Sequence, residues 1–241
     1  PRICASDLPT AIVSVINNPR FDSARWGVLI QPPKRINPRC TVNNPDTSLI
    51  PASNIKLLTT AAALRIVENR APQALTSLES WLTVVNRDSH NATADELLRR
   101  IGGQQAVRQV LLPLGIDPQG YEQVDGSGLS RQNRANPSTF VALLKSMYAN
   151  DTSGLFYRSL PIAGVSGTLR NRFRDTPVQG KLYAKTGTLQ GVRALSGYLE
   201  NEDYGIITFS IMVNQSAQSG QTLVQALDQI VLQMAQVERC E

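Results

Sequence analysis

The sequence predicts an α/β fold of the α+β type, with an antiparallel sheet of about five strands and helices on both faces. Two observations support this: strand patterns lie near both ends of the chain, and helical patterns fill its middle. We expect a single domain over residues 1–241. Its sheet part would cover about 1–50 and 178–241, and its helical part about 51–177.

The N-terminal patterns predict one helix and two strands. Apolar residues recur at helical spacing within 5–18, and the continuous apolar run at 25–31 predicts a strand. Prolines then indicate a turn, and a second strand is expected at 39–43.

The middle of the chain consists of successive helical patterns. Longer helices are predicted at 52–68, 72–85, 88–101, 104–112 and 137–149, and short helices or turns at 153–160 and 167–173. A glycine-rich connection at 124–130 separates them, and we interpret it as a wall of the site, with a plain tight turn as the alternative.

The C-terminal part changes character. Strands are predicted at 182–186, 193–201 and 204–213 in hairpin order, followed by an amphipathic helix at 221–237. A helix from each chain end is expected to cover one face of the sheet, and the central helices the other.

Composition excludes several functional classes. The net charge is +5, but the basic residues are not interleaved with aromatic ones, which make up 5% of the chain, so nucleic-acid binding is not expected. No apolar run is long enough for a transmembrane helix. With one histidine and no Cys-x-x-Cys pair, the sequence predicts no metal and no cofactor.

The three cysteines leave two alternatives open. Cys4 and Cys240 stand near the two ends of the sequence, and a disulfide between them would close the domain. The alternative is three unpaired thiols in a reducing compartment.

Ser53 and Lys56 carry the first chemical signal. Their spacing places them one turn apart on a predicted helix that is apolar nearly all round and therefore buried. Burial lowers the pKa of a lysine, and a neutral amine beside a hydroxyl forms a nucleophile with its base. By itself Ser-x-x-Lys is a weak signal, because about one is expected by chance in a chain of this length.

Two further motifs follow in order, Ser-His-Asn at 89–91 and Lys-Thr-Gly at 185–187. Ser89 would relay a proton to the leaving nitrogen, and Asn91 would hold the substrate amide and Lys56. Lys185 would assist Ser89 and attract a carboxylate.

The predicted strand at the third motif supplies the substrate-binding residues. Thr186 and Thr188 would bind a carboxylate with their hydroxyls, and Gly187 would let the substrate approach the strand edge. The backbone N–H groups of Ser53 and Thr188 would form the oxyanion hole.

These motifs carry a family resemblance. The chain resembles the catalytic domain of the low-molecular-weight class C penicillin-binding proteins, the D-alanyl-D-alanine carboxypeptidase/endopeptidases of peptidase family S13. The resemblance rests on residues 51–60, 89–98, 125–131, 161–169 and 185–192.

The resemblance implies a β-lactamase/transpeptidase-like fold and a serine DD-peptidase that acts on D-Ala-D-Ala peptides of peptidoglycan through an acyl-enzyme on Ser53. It also implies acylation by penicillins and other β-lactams, and a periplasmic or otherwise extracytoplasmic location after removal of a signal peptide.

The chain departs from the family pattern in two places. Family members carry large extra domains between the first and second motifs, whereas Ser53 and Ser89 are only 36 positions apart here. His90 occupies the middle of the second motif, where aspartate is common, which puts the local charge beside Ser89 in doubt.

Alternatives remain at the level of function and of single residues. A β-lactamase would need a base for deacylation, and Glu96 is better explained as a helix-surface charge. A non-catalytic β-lactam or muropeptide sensor would keep the same residues. A Ser-His-Asp triad on His90 would leave Ser53 and Lys185 unexplained, and Arg193 is either a surface charge or a carboxylate contact.

Overall fold

A computed structural model describes residues 2–32, 41–215 and 217–239. Its strands are β1 (Ile3–Cys4), β2 (Arg25–Gln31), β3 (Thr41–Asn43), β4 (Tyr121–Glu122), β5 (Arg134–Ala135), β6 (Leu182–Leu189), β7 (Val192–Asn201), β8 (Gly205–Asn214) and β9 (Val237–Glu238). Its α-helices are α1 (Leu8–Ile16), α2 (Lys56–Arg70), α3 (Leu75–Asn86), α4 (Asn91–Arg100), α5 (Gly103–Leu111), α6 (Pro137–Asn150), α7 (Leu155–Arg158) and α8 (Gly220–Ala235).

The predicted antiparallel sheet is confirmed. Five strands lie in the order β3-β2-β8-β7-β6, and every neighbouring pair is antiparallel. The C-terminal strands form the predicted hairpins, although β6 continues to Leu189, three residues beyond the predicted end. Strand β6, which carries the third motif, therefore lies at an edge of this sheet.

Two hydrophobic cores lie on opposite faces of the sheet. Side chains of neighbouring residues alternate along β7, so Ala194 and Tyr198 join the core built by helices α2 to α6, whereas Leu195 and Leu199 join the other. Helices α1 and α8 contribute to that second core. The predicted covering of one face by terminal helices and of the other by central helices is confirmed.

Helix α2 is the central element of the first core. Its residues 56–64 are all buried, as the nearly continuous apolar pattern predicted. The predicted helix start at 52 is wrong in detail, because residues 52–55 form a 3₁₀ turn and the α-helix begins at Lys56. Ala52, the first residue of this turn, has a φ of +48°, which lies outside the region that right-handed helices occupy.

Short pairings that the sequence did not predict complete the fold. Strands β1 and β9 pair in parallel, with Cys4 opposite Glu238, and β4 pairs with β5. Cys240 lies outside the described residues, so its disulfide with Cys4 stays a prediction. The predicted strand at 39–43 is described only from Thr41 onward.

Within the part of the chain that the structure describes, no helix combines the length and apolar character needed to cross a membrane.

Candidate active site

The turn that carries Ser53 is held between two glycines. Gly128 lies so close to it that an added Cβ atom would stand 2.0 Å from the carbonyl oxygen of Ala52. On β6, a Cβ atom at Gly187 would lie 2.7 Å from the carbonyl oxygen of Pro51. Gly187 therefore has a packing reason to be glycine besides the predicted approach of a substrate, because any side chain would push β6 away from the Ser53 turn.

Lys56 joins the first and second motifs. Its Nζ lies 2.9 Å from Ser53 Oγ, 2.8 Å from Asn91 Oδ1 and 2.5 Å from the carbonyl oxygen of Ser127. The structure thus brings Ser53, Lys56 and Asn91 together at one buried amine. The contact to Ser127 uses a backbone atom and was not predicted.

The surroundings of Lys56 make its neutral form easier to reach than it is in water. The side chain is fully buried, and burial lowers its pKa from 10.5 to about 8, although the negative charges of Asp95 and Asp125 oppose the shift. A neutral amine has two N–H groups and one lone pair. In the ammonium form the three N–H groups donate to Asn91 Oδ1, Ser127 O and Ser53 Oγ. In the neutral form the two oxygens that only accept, Asn91 Oδ1 and Ser127 O, engage both N–H groups, and the lone pair is left for the hydroxyl of Ser53.

The loop that presents the Ser127 carbonyl is held by two carboxylates. Asp95 Oδ1 accepts hydrogen bonds from the backbone N–H groups of Gly126 and Ser127, each at 2.9 Å. Asp125 accepts from Gly128 N–H and Ser130 N–H, each at 2.7 Å. The loop that we interpreted as a wall of the site therefore contacts the Lys56 amine through its backbone.

Two residues of this network were missed by the sequence reasoning. Asn133 is fully buried, accepts from Val124 N–H at 2.7 Å and donates to Asp125 at 2.8 Å. Asp95 stands four positions after Asn91 on α4, hence on the same helix face, and that spacing was the available signal.

Ser89 and Lys185 form the second half of the site. Lys185 Nζ donates to Ser89 Oγ at 2.8 Å and to the carbonyl oxygen of Thr186 at 3.0 Å. Lys185 is fully buried, and burial together with the positive charge of Lys56 holds its pKa well below the usual value. Ser89, two residues before α4, has a φ of +57°, an uncommon backbone conformation for a residue with a side chain.

Strand β6 places the predicted substrate-binding residues in sequence along one edge of the sheet. Thr186 is nearly buried, and its hydroxyl lies 2.7 Å from the hydroxyl of Thr168, a contact that was not predicted. Thr188 is exposed and is paired in register with Arg193 of β7.

Three polar residues considered in the sequence stand apart from this chemistry. His90 is exposed and caps α4, where its Nδ1 accepts from Thr93 N–H at 3.2 Å. Glu96 is ion-paired with two arginines, whose hydrogen bonds lower its pKa to about 2, as expected for a helix-surface charge. Arg193 donates to the carbonyl oxygens of Leu189 and Val192 at 2.8 and 2.7 Å.

Comparison of the sequence with known proteins identifies relatives that are longer than this chain. A penicillin-sensitive carboxypeptidase A of Dictyostelium discoideum is 33% identical over 174 residues, which cover 64% of this chain and 33% of the relative. A D-alanyl-D-alanine carboxypeptidase of Actinomadura sp. is 37% identical over 164 residues, with 61% and 30% covered. The chain thus matches about a third of the length of these relatives.

Solved structures show the same fold. Penicillin-binding protein 4 of Haemophilus influenzae matches with a TM-score of 0.62 and 28% identity, covering 66% of this chain and 40% of that one. The TLA-1 extended-spectrum β-lactamase matches with a TM-score of 0.77 over 96% of this chain and 98% of that one. Its sequence identity of 15% supports a shared fold only, which is the predicted β-lactamase/transpeptidase-like fold.

The family assignment rests on most of the chain. The model of the family described as "D-Ala-D-Ala carboxypeptidase 3 (S13) family" matches residues 8–74 and 71–234. The two matched segments meet between the first and second motifs, where Ser53 and Ser89 are only 36 positions apart. This chain belongs to the D-Ala-D-Ala carboxypeptidase 3 (S13) family.

Proposed function

We propose that this chain is a serine DD-peptidase that cleaves the D-Ala-D-Ala bond of peptidoglycan peptides through an acyl-enzyme on Ser53. The observation that carries the proposal is the arrangement at Lys56, whose amine lies 2.9 Å from Ser53 Oγ while Asn91 Oδ1 and Ser127 O accept from it, so that loss of one proton leaves its lone pair to the Ser53 hydroxyl. Its relatives, which include a penicillin-sensitive carboxypeptidase and a D-alanyl-D-alanine carboxypeptidase, support the same class of substrate.

In the acylation step, Ser53 Oγ attacks the carbonyl carbon while Lys56 takes the hydroxyl proton. The backbone N–H groups of Ser53 and Thr188 stabilise the oxyanion. The C–N bond then breaks, and the departing nitrogen receives a proton from Ser89. The proton that Lys56 took from Ser53 replaces the one lost by Ser89, so that Lys56 is neutral again before deacylation. Lys185 donates a hydrogen bond to Ser89 Oγ at 2.8 Å, and this bond stabilises the negative charge that develops on the oxygen as Ser89 gives up its proton.

In the deacylation step, water attacks the ester carbonyl and gives its proton to Lys56. The ester C–O bond breaks, Ser53 regains its proton, and the shortened peptide leaves. A penicillin would acylate Ser53 in the same way, because its ring amide presents the same carbonyl. These steps assign catalytic roles to Ser53, Lys56, Ser89 and Lys185, and Asn91 contributes by holding the Lys56 amine.

Substrate binding would use the edge of β6. The peptide would lie along this edge as an added strand, with its C-terminal carboxylate at the hydroxyls of Thr186 and Thr188 and near Lys185. Because this carboxylate belongs to the leaving D-alanine, we favour carboxypeptidase over endopeptidase activity. A peptidoglycan substrate places the enzyme outside the cytoplasm, where a disulfide between Cys4 and Cys240 would persist.

The test compares two peptides that end in D-Ala-D-Ala, one with a free and one with an amidated C-terminus. We expect release of D-alanine from the free peptide and a reaction roughly tenfold or more slower with the amidated one, because a charge-assisted hydrogen bond contributes about 1.5–3 kcal/mol. Ser53→Ala is the matched inactive control. Equal cleavage of both peptides by folded wild-type protein would contradict the carboxylate-binding role of β6.

A further inference from the structure

Thr168 lies next to the proposed carboxylate site without belonging to any of the three motifs. Its side chain is exposed, yet its hydroxyl lies 2.7 Å from the hydroxyl of Thr186, which is nearly buried. The two threonines are 18 positions apart and come from different elements, a 3₁₀ turn at 167–169 and strand β6. The contact is therefore a tertiary one that the fold has to create.

The backbone of Thr168 is fixed to the segment that leads into the second motif. Its N–H donates to the carbonyl oxygen of Arg87 at 3.2 Å. Gly167 has a φ of +60°, and a Cβ atom there would lie 2.4 Å from the same carbonyl oxygen, so this approach requires glycine. Arg87 is anchored in turn, because its Nη2 donates to the carbonyl oxygen of Arg158 at 2.7 Å.

These contacts close a ring around the leaving-group side of the site. Arg87 stands two positions before Ser89, Ser89 Oγ accepts from Lys185, and Lys185 precedes Thr186 on β6. Thr186 then returns to Thr168 through the pair of hydroxyls. Thr168 thus holds its hydroxyl in a fixed position relative to the second and third motifs.

The single proton of each hydroxyl determines the direction of the hydrogen bond between Thr168 and Thr186. Each threonine hydroxyl offers one proton, and a carboxylate only accepts. When Thr186 donates its proton to a bound carboxylate, the bond between the two threonines must run from the Thr168 hydroxyl to Thr186 Oγ1. That chain of donors polarises the Thr186 hydroxyl toward the carboxylate.

We propose that Thr168 is a positioning residue that directs the hydroxyl of Thr186 toward the carboxylate of the leaving D-amino acid and so contributes to the selectivity for a free C-terminus. The inference rests on the proposed function. Thr168 acts through Thr186 and takes no part in the transfer of protons at Ser53.

The experiment measures kcat/KM for the free and amidated D-Ala-D-Ala peptides with wild type, Thr168→Val and Thr168→Ser. Valine has the shape of threonine but no hydroxyl, and serine restores the hydroxyl. We expect Thr168→Val to lower kcat/KM for the free peptide roughly three- to tenfold, the cost of one hydrogen bond, and to leave the amidated peptide unchanged. Thr168→Ser should recover the wild-type ratio of the two peptides.

A control variant and the ratio of kcat/KM for the two peptides distinguish a failure of this inference from a failure of the proposed function. Thr152→Val, at an exposed threonine just after α6, should leave both peptides unchanged. Equal losses on both peptides with Thr168→Val would mean a merely structural role, and no loss on either would mean no role, so both results overturn the inference. A wild type that does not discriminate between the peptides overturns the carboxylate site itself, and this is visible before any variant is made.

Discussion

The two buried lysines of the site have different surroundings. Lys56, at the start of α2, lies near the carboxylates of Asp95 and Asp125, which partly offset the effect of burial on its pKa. Lys185, on β6, has its pKa lowered both by burial and by the positive charge of Lys56. Burial is the largest cause of the lowered pKa at both lysines, and the neighbouring charges act in opposite directions on the two.

The difference in neighbouring charges fits two different roles, a proton acceptor for Lys56 and an anion-binding group for Lys185. The pKa of Lys56 lies at about 8, which suits a group that must release and take up a proton near neutral pH. A substrate carboxylate at the threonines beside Lys185 would supply a negative charge and raise the pKa of that lysine. The comparison therefore supports the proposed roles, proton transfer at Ser53 for Lys56 and attraction of the leaving group for Lys185.

Removal of Lys56 should have the largest effect among the polar variants. We expect Lys56→Met to slow acylation by a fluorescent penicillin about 10²–10⁴-fold, the typical contribution of one positioned base. The measurement is the rate of covalent labelling under excess penicillin. Lys145→Met is the matched control, because Lys145 is exposed and donates to Gln31 at the surface. A decrease of less than threefold in the labelling rate would contradict the role of Lys56 as the base.

The pH dependence tests the protonation state directly. Because only neutral Lys56 accepts the serine proton, the acylation rate should rise about tenfold per pH unit below the pKa and level off above it. The pKa of about 8 places this bend near pH 8. A rate that falls as the pH rises from 6 to 8 would show that a protonated group is required instead.

Asp95→Asn should sharpen the comparison by changing charge without removing the acceptor oxygen. The charge of Asp95 raises the pKa of Lys56, so its removal should lower that pKa and move the bend in the pH profile to lower pH. The asparagine oxygen can still accept from Gly126 and Ser127. An unchanged pH profile in folded Asp95→Asn protein would mean that the charge of Asp95 does not influence the pKa of Lys56.

His90→Ala should have the smallest effect on acylation, less than about threefold, because His90 caps α4 and faces solvent. Its effect should appear in stability, as a loss of about 1 kcal/mol in the free energy of unfolding, which chemical denaturation would measure. His90→Asn keeps a capping acceptor and should recover most of that loss. If His90→Ala slowed acylation as much as Lys56→Met, a histidine mechanism would replace the present one.

Patterns with a regular period were predictable from the sequence, and contacts made by the tertiary fold were not. The apolar repeats gave the order of the strands and helices, and three spaced motifs identified the residues of both lysine sites. The sequence missed the carbonyl of Ser127, because a backbone atom has no residue type to signal its role. It also missed the contact of Thr168 with Thr186, since a hydrogen bond between separate elements leaves no local pattern.

The predicted substrate-binding role of Gly187 shows the same limit. Glycine at this position was explained by an approaching peptide, whereas the structure shows that the Pro51 carbonyl lies where a side chain would stand. Single positions can satisfy two requirements at once, and only the fold reveals the second.

Mass spectrometry of the penicillin-treated protein tests the central assignment most directly. Digestion and peptide mapping should place one adduct on the peptide that contains Ser53, and Ser53→Ala should carry none. An adduct on Ser89, Ser127 or Ser130, or undiminished labelling of folded Ser53→Ala, would contradict the account.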